Sequence, residues 1–171
     1  DGLGKKVIDQ FWDLTLIKNP SDIYNLDYKK IETLEGWGKL SANNLKTAIE
    51  KSSQILLDKF IYSLGIRHIG QENAKLLGNF FKNINKFIEL FQESKRENLL
   101  ENITELDGIG SAQLKSLGEF FSNKKNEKIT LSLIKYLKIE NFKAINKDGK
   151  LSGKTIMFTG GFEKISRSEA K

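Results

Sequence analysis

The chain of 171 residues contains no cysteine. Disulfides and thiolate metal sites are therefore excluded within it, and a reducing compartment is the natural setting, so the expected location is the cytoplasm. Its one histidine, His68, has no second histidine with which to build a metal site. Proline occurs once, at Pro20, and arginine only at Arg67, Arg96 and Arg167. No apolar run approaches the ~18 residues of a membrane-spanning helix, so no membrane partner is expected. Residues 1–6 run straight into an amphipathic pattern and do not read as a signal peptide.

Lysine and glycine are what the chain has instead. Lys and Arg together number 28 against 22 Asp and Glu, for a net charge of +6. A lysine excess favours polyanions, nucleic acid first. The same excess, together with abundant Asn and Ile, also fits the residue usage of an AT-rich genome, so charge alone does not decide. Hydrophobic residues make up 39%, enough for a real core. The length suits one domain, or one domain plus a piece of another. The chain starts without Met and stops inside a strand-like pattern, so the expectation is a piece of a longer protein.

The glycines fall into a repeat. Gly2-Leu3-Gly4 is followed by Ile8 and Phe11, and Gly36-Trp37-Gly38 by Ala42 and Leu45. His68-Ile69-Gly70 is followed by Ala74 and Leu77, and Gly108-Ile109-Gly110 by Leu114 and Leu117. The last glycines lie 34, 32 and 40 residues apart. Small or apolar residues four and seven places on make one buried helical face. Ile31 and Leu34, then Phe60, Ile61 and Leu64, then Ile103 and Leu106 lead into the second, third and fourth turns. The unit is helix, short glycine turn, helix, and the leading helix of the first unit is expected before Asp1.

Asn19-Pro20-Ser21-Asp22 reads as a helix start. Residues 82–98 read as a helical connector with Ile84, Phe87, Ile88 and Phe91 on one side, and residues 128–137 as a further amphipathic helix. Residues 139–151 are polar and lysine-rich and read as a linker. The run KTIMFT at 154–159, ending at Gly160-Gly161, is the only good strand pattern.

These turns suit phosphate for a physical reason. A helix N-terminus offers unpaired N–H groups and a partial positive charge, and glycine lets an anion come close. The central residue, Leu3, Trp37, Ile69 or Ile109, can plug into the core while amides face outward. Trp37 is accordingly expected in the core and not as a base-stacking platform. Lys5 and Lys6 flank the first turn, Lys39 the second, Arg67 and His68 the third, and Ser111 and Lys115 the fourth. His68 is expected to hydrogen-bond to backbone or phosphate. Such contacts ignore base identity, so binding should be sequence-independent and salt-sensitive. The competing reading is that each glycine merely stops the helix before it. Four occurrences in register with following helices weigh against that.

The units resemble helix-hairpin-helix motifs, found in many DNA repair proteins. The order of GLGKKVIDQF, TLEGWGKLSANNLKTAIEKS, FIYSLGIRHIGQENAKLLGNFF and ELDGIGSAQLKSLGEFF resembles the helix-hairpin-helix domain of bacterial NAD-dependent DNA ligases. The tail GKTIMFTGGFEKISRSEAK is similar to the start of the BRCT domain that follows in that family. The resemblance implies a mainly α fold of tandem helix-hairpin-helix repeats, four hairpins in two pseudo-symmetric pairs, over residues 1–138. It also implies a linker at 139–151 and a truncated BRCT start at 152–171.

In that family the complete enzyme seals nicks in replication and repair. NAD adenylylates a lysine, AMP passes to the 5′-phosphate, and the 3′-hydroxyl displaces it with Mg²⁺ assisting. The resemblance assigns this chain the grip on nicked duplex DNA, through Gly2, Gly4, Gly36, Gly38, Gly70, Gly108 and Gly110 with their flanking residues. The other domains of the same ligase chain are its further partners. NAD, Mg²⁺ and Zn²⁺ are expected in the full-length parent and not in this fragment, which should not be catalytic. The adenylylated Lys-x-Asp-Gly motif is absent: Asn146-Lys147-Asp148-Gly149 has Asn in first place. No OB-fold pattern and no four-cysteine zinc site occur. Two other readings stand beside this one: a tandem module of a repair nuclease or junction-binding protein, and a protein-association domain.

Overall fold

Two kinds of helix start recur in this chain, one on a side-chain cap and one on a bare glycine. A computed structural model describes residues 2–143. The α-helices are Lys5–Asp13 (α1), Tyr28–Ile31 (α2), Lys39–Ser52 (α3), Leu57–Ser63 (α4) and Gln71–Phe81 (α5). Ile84–Ile88 (α6), Glu93–Thr104 (α7), Ser111–Ser122 (α8) and Lys124–Ile134 (α9) complete them. Tight 3-10 turns occupy Pro20–Asn25 and Glu89–Phe91, and two short strands are Gln54–Leu56 (β1) and Lys138–Glu140 (β2). The fold is mainly helical, as expected.

Four connecting elements begin on a side-chain cap, whereas α4 and α7 begin on Leu56 and Gln92 without one. Asn19 caps the Pro20–Asn25 turn by accepting from Ser21 N, while the Asp22 carboxylate accepts from Asn19 N at 3.0 Å. Asp27 caps α2, Asn83 caps α6 and Asn123 caps α9. Each such oxygen satisfies amides that a helix start leaves open, worth about 1 kcal/mol. The helices α1, α3, α5 and α8 instead begin on Gly4, Gly38, Gly70 and Gly110, with no side-chain cap.

Two cores result. Phe11, Ile31, Ala42, Leu45 and Ile49 form the first, with Leu3 and Trp37 packed against it. Ile61, Leu77, Phe87, Ile103, Leu117 and Phe121 lie at the heart of the second, which also buries Ile69 and Ile109. Each fully buried large side chain contributes about 1.5–3 kcal/mol. Edge-on Phe81–Phe87 and Phe87–Phe121 pairs, with centroids 5.4 and 5.2 Å apart, knit α5, α6 and α8 together. Across the seam between the cores, Ser132 of α9 hydrogen-bonds to Ser21 at 2.8 Å, and Tyr24 stacks on Tyr136 at 6.3 Å.

Three expectations change. The connector at 82–98 is not one helix; it breaks at Gln92 between the Glu89–Phe91 turn and α7. Arg96 makes the break possible: its guanidinium donates to the carbonyls of Leu90 (2.8 Å) and Phe91 (3.1 Å) and to Ser122 Oγ (2.9 Å). Glu89 faces Lys95 at 3.2 Å and Lys86 at 3.6 Å, and these ammonium groups hold its carboxyl below the usual glutamate range. The helix expected at 128–137 starts at Lys124, because Asn123 caps it there, and ends at Ile134.

Strand also appears where none was expected. β1 and β2 pair in parallel, Gln54 with Lys138, Ile55 with Ile139 and Leu56 with Glu140. Residues 139–142, placed in the linker from sequence, are thus packed. Phe142 N donates to Lys82 O at 2.9 Å, and the Phe142 ring lies over Gly78 of α5. The strand pattern at 154–159 and the BRCT-like tail lie outside the described residues.

Candidate nucleic-acid interface

The turns before α1, α3, α5 and α8 share one backbone. Gly2, Gly36, His68 and Gly108 have φ of +86°, +79°, +62° and +96°. Two residues later Gly4, Gly38, Gly70 and Gly110 are extended and cap the helix. Trp37 N, Ile69 N and Ile109 N donate back to Leu34, Ile66 and Leu106 O at 3.0, 3.0 and 3.1 Å. Helix bonding then starts identically: Ile8, Ala42, Ala74 and Leu114 donate to the four capping glycines at 2.9–3.1 Å. The residue between is the plug: Ile69 and Ile109 are buried, Leu3 and Trp37 partly so. Trp37 packs on Phe11 with centroids 5.3 Å apart and donates from Nε1 to Gln10 Oε1 at 2.9 Å, a core role as expected.

The helix-stop reading of the glycines fits other residues. Thr15, Gly65 and Lys82, also at positive φ, lie one or two residues past the ends of α1, α4 and α5. Gly36 and Gly108 lie further on, in the turn that launches the next helix.

First and second glycines have different causes. The first is dictated by backbone: at positive φ a Cβ crowds the chain, at a cost of about 1–2 kcal/mol. The second is dictated by nothing inside the protein. Gly4, Gly38, Gly70 and Gly110 all have negative φ, which any residue adopts. A Cβ on Gly4, Gly38 or Gly70 would meet nothing within 4 Å, and one on Gly110 only the Gln113 side chain at 3.3 Å. Ser or Asn would cap better.

The charges are mixed. The first turns of α1, α3 and α8 carry no acid, whereas α5 carries Glu72, paired with Lys75 at 2.7 Å. Lys5, Lys6, Lys39, Ser111 and Lys115 are exposed, as are Arg67 and His68. Exposed Glu35 and Asp107 stand in the second and fourth turns where Arg67 stands in the third. Two participants escaped the sequence reading: Ser41 Oγ and Gln113 Oε1 accept from Gly38 N and Gly110 N at 3.0 and 3.2 Å. Their signal was their place three residues after the glycine. The amides left for an anion are those of the next residues along.

Packing brings the turns together in twos. Gly2 lies against Leu45 of α3, 3.5 Å from the Cβ it lacks, beside Trp37 and Ser41. Gly108 lies against Leu76 of α5, 3.1 Å from its missing Cβ. Arg67 and His68 share a cleft with Ala112, Lys115 and Ser116 of α8. Among the described residues no cluster of His, Asp and Glu could hold a metal ion, and no helix is long and apolar enough to cross a membrane.

Uncapped helix starts behind tight turns define a class, and residues 59–130 match the family model of the helix-hairpin-helix motif. The whole chain is similar to DNA ligases: 49% identical over 171 residues to that of Pelagibacter ubique and 42% over 180 residues to that of Rickettsia bellii. The DNA ligase of Rickettsia typhi is 41% identical over 179 residues, covering 99% of this chain. The chain thus matches a region of bacterial DNA ligases and spans about a quarter of the length of these relatives, 25–26%.

Proposed function

We propose that this chain is the DNA-gripping part of an NAD-dependent DNA ligase that seals nicks in duplex DNA during replication and repair. In this reading the four turns are four helix-hairpin-helix hairpins in two pseudo-symmetric pairs. Each presents helix-start amides and a neighbouring cation to a backbone phosphate: Lys5 and Lys6, Lys39, Arg67 with His68, and Ser111 with Lys115. Binding is independent of base sequence because phosphates carry no base information. Residues 1–138 form the binding domain, 139–151 lead on, and 152–171 open a BRCT domain. The adenylylated lysine, NAD, Mg²⁺ and Zn²⁺ belong to other parts of the longer cytoplasmic protein, whose remaining domains complete the clamp on nicked duplex.

The observation that supports this most directly is the second glycine of each turn. Neither backbone nor packing asks for it, so its missing Cβ serves something that approaches from outside. Gly38→Ala and Gly110→Ala should therefore stay folded and within about 1 kcal/mol of the parent, because alanine caps less well than glycine but stiffens the unfolded chain. Both should lose duplex affinity roughly ten- to a hundredfold, the value of one charge-assisted hydrogen bond at about 1.5–3 kcal/mol. The loss should be the same on unrelated sequences. Affinity of the parent chain should fall with log[salt] at a slope of about −0.9 per phosphate, near −4 if each turn takes one. Undiminished binding by folded alanine variants, or a flat salt response, would instead favour a protein-association module.

A further inference from the structure

Leu40 is 75% exposed, more than any other large apolar side chain among the described residues. It stands second in α3, behind Lys39 and two residues past Gly38. The helix start does not ask for it, since first turns favour acidic and short polar side chains. The core does not ask for it either, because most of its surface stays in solvent. The same place in the other three turns holds Lys6, Glu72 and Ala112, so a large apolar residue here is peculiar to the second turn.

Single apolar residues scattered over a surface need no cause. Leu40 is set apart by its surroundings. It lines a cleft of about 500 Å³ with Glu32, Lys39 and Asn43, and is the one apolar residue of the four. Gly38 and Lys39, where the second turn would take its phosphate, stand directly before it in the chain. Glu32 would repel another phosphate from the cleft, so the space suits an uncharged group. Phosphate and deoxyribose alternate along a strand, and the group next to a bound phosphate is therefore a sugar.

We propose that Leu40 packs its branched end against a deoxyribose beside the phosphate that Gly38 and Lys39 hold. The inference rests on the duplex-binding reading above and adds to it an uncharged contact, made by one turn of the four. Every nucleotide presents the same sugar, so the contact keeps binding independent of sequence. Its signature is a contribution to affinity that salt does not screen.

Affinity for several unrelated duplexes across a salt series, with thermal melting alongside, tests this on the 171-residue chain. Leu40→Ala and Leu40→Gln should each lower affinity about three- to tenfold at every salt concentration, the scale of withdrawing a leucine's branched end from an apolar contact, with the slope against log[salt] unchanged. Lys39→Ala should behave differently, taking about 0.9 off the slope so that its loss shrinks as salt rises. Leu40→Met should bind like the parent, and all three Leu40 variants should melt with it. Trp12→Ala removes another exposed apolar side chain, at the far end of α1, and should leave affinity alone. Parent-like binding by Leu40→Ala would take Leu40 out of the interface. A shallower slope would mean that it only steers Lys39, and a loss that varied with sequence would move the contact from sugar to base edge. Each of these results overturns the sugar contact while leaving duplex binding intact. If the parent chain showed no salt-dependent duplex binding, the broader reading would fall, and the role of Leu40 with it.

Discussion

Gly78 shows how much one missing methyl can carry. A Cβ there would come within 2.8 Å of Phe142 Cδ2 and 3.3–3.4 Å of Asp58 Cβ and Cα. The ring can swing aside, but the α4 backbone cannot. Alanine gains about 1 kcal/mol of helix propensity over glycine, against an overpacking cost of about 1–3 kcal/mol. Gly78→Ala should therefore destabilise the chain in denaturant titration, and by less in a Phe142→Ala background. Equal stability of Gly78→Ala and parent would show that Phe142 does not press on α5. Gly78 gave no signal in the sequence, because its neighbours are brought in from 20 and 64 residues away. The turn glycines were legible because their cause is local: a positive φ, or an open helix start, falls at a fixed offset from the apolar plug. His68 broke the pattern in letters while keeping it in backbone, and only its φ of +62° reveals the equivalence.

Caps and breaks between segments were read unevenly. The start at Asn19-Pro20 was visible because capping chemistry is contained in four adjacent residues. The break at Gln92 was not, since the groups that stabilise it come from Arg96 and from Ser122 on α8. The β1–β2 pair was invisible for a related reason: three-residue strands show no period, and their pairing joins distant parts of the chain. Arg96→Met keeps the aliphatic stem but abandons two carbonyls and a hydroxyl. It should cost about 2 kcal/mol in equilibrium unfolding. Arg96→Lys should recover only part, because one ammonium cannot reproduce the three-way guanidinium geometry. Full stability in both variants would mean that the broken connector holds itself.

Among the described residues, Ser132–Ser21 and Tyr136–Tyr24 join the first core's Pro20–Asn25 turn to α9 and the residues just after it. An aromatic pair of this kind is worth about 0.5–1.5 kcal/mol, small beside either core. Tyr136→Ala should therefore speed amide exchange in the Pro20–Asn25 turn and α9 while α5 and α8 keep their protection. Uniform acceleration throughout would make the chain one cooperative unit. The cleft that Arg67 and His68 share with α8 could not be anticipated either, because its lining comes from parts of the chain more than 40 residues apart. Overall resemblance to ligases needed none of this, because it rests on the order of local turns.

The β1–β2 pair has a mechanical consequence. The strands run the same way; β1 is entered from the first core, and β2 leads out toward residue 143. Tension between the first core and that exit would pull the two strands along their length in opposite directions. Their cross-links would bear the load together, in shear, and not open one after another like a zipper. Residues 57–137, the second core included, lie between these strands and would be shielded until the pair slipped. Three paired residues would thus clasp the segment that lies between them.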